Sequence, residues 1–112
     1  LLFPQSRSIA DDKEESSLTE SAGSVLVVGL GPVGRQVIQT FIENKIIPAA
    51  IDVNPKSRDY GKQMGIKVLL GDACSEEILI QAGLSDVCMA VVTVPDPTAS
   101  IRIIKMILDN FC

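Results

Sequence analysis

From residue 24 onward, apolar positions alternate between two spacings. Four compact runs, Val25–Val28, Ile46–Val53, Ile66–Leu70 and Val87–Val94, suit strands buried on both faces. Between them the apolar residues recur at three or four positions. Val33, Val37, Ile38, Phe41 and Ile42 recur at helical spacing and predict a helix over Pro32–Asn44. Asn54 and Pro55 open a second helix, with Asn54 as cap and Pro55 at the first helical position, and Gly65 ends it as a left-handed cap. Ser75 opens a third, with Glu76 and Glu77 in the first turn where the helix dipole favours acids, and Gly83 closes it. Asp96-Pro97 starts a fourth, with Ile101, Ile104, Leu108 and Phe111 as its expected buried side.

Strand and helix therefore alternate four times with short connections. Right-handed crossovers turn this order into an α/β fold, a Rossmann-like doubly wound parallel sheet with helices on both faces and strand order 3-2-1-4. A full domain of this kind has further strands after the fourth. The fourth strand, Val87–Val94, is apolar on both faces and is expected at an edge, where it invites pairing with another chain, a swapped assembly or the rest of a longer protein. Residues 1–23 are rich in Ser, Asp and Glu without any period. They read as a disordered linker or tail, or as a segment without a role, which leaves 24–112 as the folded domain.

Composition narrows the function. At 46% hydrophobic, the 112 residues can bury a core, and that core is aliphatic, since there is no Trp. A net charge of −4 argues against nucleic acid as a partner. The absence of histidine removes the commonest general base and the commonest metal ligand. Cys74, Cys88 and Cys112 are odd in number and widely spaced, so reduced thiols are expected and no metal site is. No apolar run approaches the roughly 18 residues that span a bilayer, so this segment is not expected to insert in a membrane itself. Leu1-Leu2-Phe3 is too short for the apolar part of a signal peptide.

What chemistry remains sits in Gly29-Leu30-Gly31-Pro32-Val33-Gly34, a Gly-x-Gly-x-x-Gly turn between a strand and a helix. Gly29 permits the tight turn, Gly31 lets the backbone approach a pyrophosphate, and Gly34 lets the helix pack close to the strand. Amides at the helix start then face the phosphates; Pro32 has none to give, at a position that tolerates this. Asp52 follows 18 positions after Gly34, at the end of the second strand, placed to accept hydrogen bonds from ribose hydroxyls. Its charge repels a 2′-phosphate and favours NAD or an adenine mononucleotide over NADP. Asn54 lies on the same side and serves the ligand, the helix cap, or both. Arg35 either approaches a phosphate or is a solvated helix residue. Asp72, in Gly71-Asp72-Ala73 at the end of the third strand, faces the adenine or caps a turn. Thr93 to Asp96 end the fourth strand near the distal half of a dinucleotide, where turn chemistry is the alternative reading.

Val-Val-Gly-Leu-Gly-Pro-Val-Gly at 27–34, Ile-Asp-Val-Asn-Pro at 51–55, Gly-Asp-Ala at 71–73, Gln-Ala-Gly-Leu at 81–84 and Val-Val-Thr-Val-Pro-Asp at 91–96 together resemble the RCK N-terminal domain, also called KTN or TrkA-N. The resemblance covers residue 24 to about residue 110. Val-Pro-Asp after the fourth strand looks most like the version carried by Kef-type potassium/proton antiporters. The resemblance implies a regulatory domain on the cytoplasmic face of the membrane. It would form a homodimer, bind NAD or NADH, or alternatively AMP or ATP, and gate a membrane transport domain. It further implies that Gly29, Gly31 and Gly34, with Leu30, Pro32 and Val33 between them, take the phosphates. Asp52, Val53 and Asn54 would take the ribose, Asp72 and Ala73 lie by the adenine, and Thr93 is on the distal side. Cys74 stands where the family is expected to have Thr or a similar small polar residue.

Two function classes are thereby opposed: a ligand-sensing module, and an NAD-binding fragment of an oxidoreductase. The second needs a proton donor or acceptor by the nicotinamide. Histidine is absent, and the only tyrosine, Tyr60, is followed four positions later by Met64 rather than Lys, so this chain is not expected to be an enzyme and carries no candidate catalytic residue.

Overall fold

The computed structural model describes residues 2–4 and 25–111. The elements run β1 (Leu2–Pro4), β2 (Val25–Val28), α1 (Pro32–Glu43), β3 (Ala49–Asp52), α2 (Ser57–Met64), β4 (Lys67–Leu70), α3 (Glu76–Gln81), a 3-10 turn (Leu84–Asp86), β5 (Met89–Val92) and α4 (Pro97–Phe111). The sheet order is β1-β5-β2-β3-β4. From β2 onward the strands are parallel and lie in the expected 3-2-1-4 order.

Alternation along β2 builds two cores. Leu26 and Val28 point to a layer with Ile51, Leu79, Ile103 and Ile107, between the sheet and α3 and α4. Val25 and Val27 point the other way, to Ile38, Ala50 and Ile66 beneath α1 and α2. Val28 pairs in register with Ile51 on one side and Val92 on the other, and Asp52 lies level with Leu70. The carboxyl ends of all four parallel strands therefore finish together, and the loops that follow them open on one edge.

Several expectations are corrected. The outer side of β5 is not a bare edge: Leu2–Pro4 pairs with it antiparallel, Leu2 opposite Val91 and Pro4 opposite Met89. The remainder of the residue 1–23 reading lies outside the described residues, as does Cys112. The second strand begins only at Ala49, with Ile46 and Ile47 exposed ahead of it. Pro48, buried between Ile47 and Ala49, has no N–H to give to a ladder. In α4 the expected inner face is one position out of phase. Ile103 and Ile107 are buried and Ile104 is half-buried, whereas Ile101 is 54% and Leu108 47% exposed.

Caps explain the helix ends. Asp96 Oδ1 accepts the Thr98 amide at 3.1 Å as α4 begins. Gly65 closes α2 in the left-handed conformation at φ 73°, as expected. Asn54 Oδ1 accepts the Lys56 amide at 3.0 Å, but the helix itself starts only at Ser57, so Pro55 belongs to the preceding turn. Ser75 makes no side-chain cap bond to α3.

Candidate functional site

The glycine turn is held from inside the protein at two of its three glycines. Gly29 has φ +103°, and a Cβ there would meet Thr93 Oγ1 at 3.0 Å and the Val94 amide nitrogen at 3.2 Å. A Cβ on Gly34 would collide with the Gly29 carbonyl oxygen and stand 2.9 Å from Thr93 Oγ1. Gly31 is different: its φ is −76°, and a Cβ would meet no protein atom within 4 Å. Nothing in the fold requires glycine there; the open space is the cleft itself.

Thr93 supports this turn from below. Its hydroxyl lies 2.8 Å from the Gly29 carbonyl oxygen and 3.1 Å from that of Val28, and it does not line the cleft. Arg35 braces the outer side. Its Nε donates to the Leu30 carbonyl at 3.1 Å, and its guanidinium lies 4.6 Å from the centre of the Tyr60 ring. The Tyr60 hydroxyl donates back to the Arg35 carbonyl at 3.3 Å. Burial pushes the Tyr60 phenol above its ordinary pKa, against a smaller opposing pull from Arg35.

Asp52 ends β3 half-buried, facing the turn. The Leu30 amide donates to its Oδ1 at 3.3 Å, and the Ser57 hydroxyl donates to its Oδ2. Asp72 is exposed, and its Oδ1 accepts the Cys74 amide at 2.8 Å, so it caps its own turn at the rim.

These parts enclose a cleft of about 420 Å³ at the carboxyl edge of the sheet. Gly29, Leu30 and Gly31 form one wall, Asp52, Val53 and Asn54 the second, and Asp72, Ala73 and Cys74 the third. Val94, Pro95, Ala99 and Ile103 close the fourth side. Of the residues that the resemblance assigns to the ligand, the structure brings together eight: Gly29, Leu30, Gly31, Asp52, Val53, Asn54, Asp72 and Ala73. Pro32, Val33, Gly34 and Thr93 do not line it. Pro32 and Val33 are exposed on the first turn of α1, and Gly34 is buried against the turn.

Of the fourth wall, Val94 and Pro95 fall in the Thr93 to Asp96 segment placed near the ligand from the sequence, whereas Ala99 and Ile103, which read as ordinary helix positions, were missed, as was Ser57, one of many surface-type residues in a polar helix. Cys74, noted in the sequence only as a departure from the residue the resemblance leads one to expect, also lines the cleft. Burial, then the Asp72 carboxylate beside it, push the Cys74 thiol above its ordinary pKa, with Arg102 opposing.

The donor set fits an adenine nucleotide: an open glycine turn at a helix N-terminus for phosphate, a carboxylate for a diol, and an apolar slot for a base. Among the described residues no helix is long and apolar enough to cross a membrane.

The fold recurs in the TrkA-N domain of the Escherichia coli inner membrane protein ybaL, with a TM-score of 0.70 and 24% identity over 80% of this chain and 67% of that one. It recurs in the Shewanella denitrificans Kef CTD in its AMP-bound form, with a TM-score of 0.69 and 24% identity over 79% of this chain and 52% of that one. In sequence, the chloroplastic K(+) efflux antiporter 1 of Arabidopsis thaliana is 34% identical over 89 residues, 79% of this chain but 7% of that protein. The glutathione-regulated potassium-efflux system protein KefC of Escherichia coli is 21% identical over 104 residues, 93% of this chain and 17% of that protein. The chain therefore spans a small part of these two relatives. Residues 25–111 match the TrkA-N domain throughout, and the chain belongs to the TrkA-N domain family.

Proposed function

We propose that this domain is the nucleotide sensor of a potassium efflux antiporter, on the cytoplasmic face of the membrane, and that it binds rather than transforms its ligand. NAD(H), AMP or ATP occupies the cleft with its phosphate at the Gly29–Gly34 turn, its ribose on Asp52 and its adenine by Val53, Asp72 and Ala73. The observation that carries this reading is Gly31. A glycine with ordinary φ and no protein neighbour leaves its space to something outside the chain. The likeness in fold to a Kef domain in AMP-bound form supports the same choice of ligand, and the two antiporter relatives support the transport role.

Regulation follows from differential affinity. A nucleotide that prefers one arrangement of two paired domains shifts their balance, and a tethered transport domain feels that shift. Ile101 and Leu108, exposed two helical turns apart on one side of α4, offer a surface for the pairing.

Native mass spectrometry followed by calorimetric titration with NADH, NAD, AMP and ATP tests the proposal. At least one should bind, and Asp52→Ala should weaken it by about tenfold, the scale of a lost charge-assisted hydrogen bond. A protein indifferent to all four nucleotides overturns the sensor reading; unchanged affinity in the Asp52 variant removes the ribose role alone.

A further inference from the structure

Among the described residues Ser57 is the one polar side chain that is buried, at 1% exposed. It is the first residue of α2, and its place is fixed by backbone. Its amide donates to the Asn54 carbonyl at 2.9 Å, within the turn that Asn54 Oδ1 also closes on Lys56. Its hydroxyl has one described partner, Oδ2 of Asp52. Oδ1 of the same carboxylate takes the Leu30 amide at 3.3 Å. Asp52 lines the cleft and Ser57 does not, so the serine acts behind the carboxylate and not on a ligand.

A carboxylate offers about four lone-pair sites, two on each oxygen. Here one site on each oxygen is taken from within the protein, by groups on opposite sides: the glycine turn and α2. That pins the carboxylate plane and leaves one acceptor site on each oxygen. A vicinal diol presents two donors side by side and needs two adjacent acceptors held in one plane. A freely turning carboxylate would have to be ordered at the moment of binding; a pinned one is ordered beforehand.

We propose that Ser57 is the positioning residue of the site: by fixing the Asp52 carboxylate it matches the two free acceptor sites to the 2′- and 3′-hydroxyls, and so sets the preference for ribose over deoxyribose nucleotides. This rests on the nucleotide reading of the cleft and adds to it the sugar selectivity and the residue behind it.

The test compares AMP with 2′,3′-dideoxy-AMP on the full chain by calorimetry, in wild type, Ser57→Ala and Ser57→Thr. Wild type should favour AMP by about tenfold or more, the scale of charge-assisted hydrogen bonds. Ser57→Ala should lower that ratio by about threefold or more, chiefly by weakening AMP, while dideoxy-AMP binds as before. Ser57→Thr keeps the hydroxyl and should restore the ratio. If Ser57→Ala does not fold, Ser57→Cys makes the same comparison with a much weaker donor. A serine that merely ties α2 to β3 would change melting temperature and leave the ratio untouched. An unchanged ratio in a folded variant therefore overturns the role of Ser57, and so does a raised one, which would mean that Ser57 competes with the ribose. If wild type binds NADH, NAD or ATP but not AMP, the same comparison is made with that nucleotide and its adenosine-dideoxy form; wild type binding none of the four, or a nucleotide and its dideoxy form equally, overturns the ribose reading and this inference with it.

Discussion

Gly31 and Gly34 stand three positions apart in one motif and answer to different physics. At Gly34 the constraint is internal: Gly34→Ala drives a methyl group into the Gly29 carbonyl, which is backbone and cannot step aside. It should cost at least about 2 kcal/mol of stability in urea denaturation, whatever it does to binding. At Gly31 the constraint is external. A Cβ at Gly31 meets no protein atom within 4 Å and the φ is unstrained, so Gly31→Val should stay close to the wild-type denaturation midpoint and lower nucleotide affinity by about tenfold or more. If Gly31→Val binds normally, the turn does not hold the phosphate. The spacing of the motif and the separate duties of Gly31 and Gly34 were legible in the sequence; that Thr93 would support the turn from below was not, because that depends on where the end of β5 comes to lie beside it.

Cys74 gives a second probe at this scale. Burial and the neighbouring Asp72 favour the thiol over the thiolate, so its alkylation should be slow at neutral pH. The rate should rise with pH through a midpoint above that of an ordinary cysteine. A nucleotide seated in the cleft should slow the reaction at Cys74 and not at Cys88, as read by peptide mass mapping. Equal protection of both, or of neither, would count against the ligand lying along the third wall.

Among the elements, strand–helix order was readable because continuous apolar runs and helical periodicity differ sharply. Phase was harder. In α1, Val33 is 62% exposed although it fits the apolar pattern, since Gly34 must pass against the turn and thereby turns Ile38, one helical turn on, into the core. In α4, the sequence Ile101-Arg102-Ile103-Ile104-Lys105-Met106-Ile107-Leu108 carries apolar residues on two faces, and periodicity alone cannot choose between them. The structure chooses the face with Ile103, which lines the cleft, and Ile107, which is fully buried. Ile107→Ala should therefore cost about 2–5 kcal/mol in denaturant unfolding. Ile101→Ala should stay within about 0.5 kcal/mol of wild type, as surface substitutions do. The reverse ranking would show that the helix is rotated.

At the scale of the whole molecule, the sheet has two outer sides and treats them differently. β4 ends one side with Lys67 exposed at its start, a charge of the kind that discourages pairing. β5, on the other side, is Met89-Ala-Val-Val92, uncharged and mostly buried, and Leu2–Pro4 lies antiparallel along it. Three residues, one of them a proline without an N–H, make a short cover for such a strand. A doubly wound sheet grows at that same side, so the cover and any further strand, from this chain or another, compete for one row of backbone groups. Removing residues 1–4 should therefore expose β5 and raise self-association, seen as a mass in light scattering that climbs with protein concentration above that of the full chain. Replacing Met89, the half-buried residue of β5, with Lys in the shortened chain places a charge on the bared strand and should reverse the rise. If the shortened chain keeps the mass of the full one at every concentration, β5 is not held in check by Leu2–Pro4, and any pairing of these domains must run through the exposed side of α4 instead.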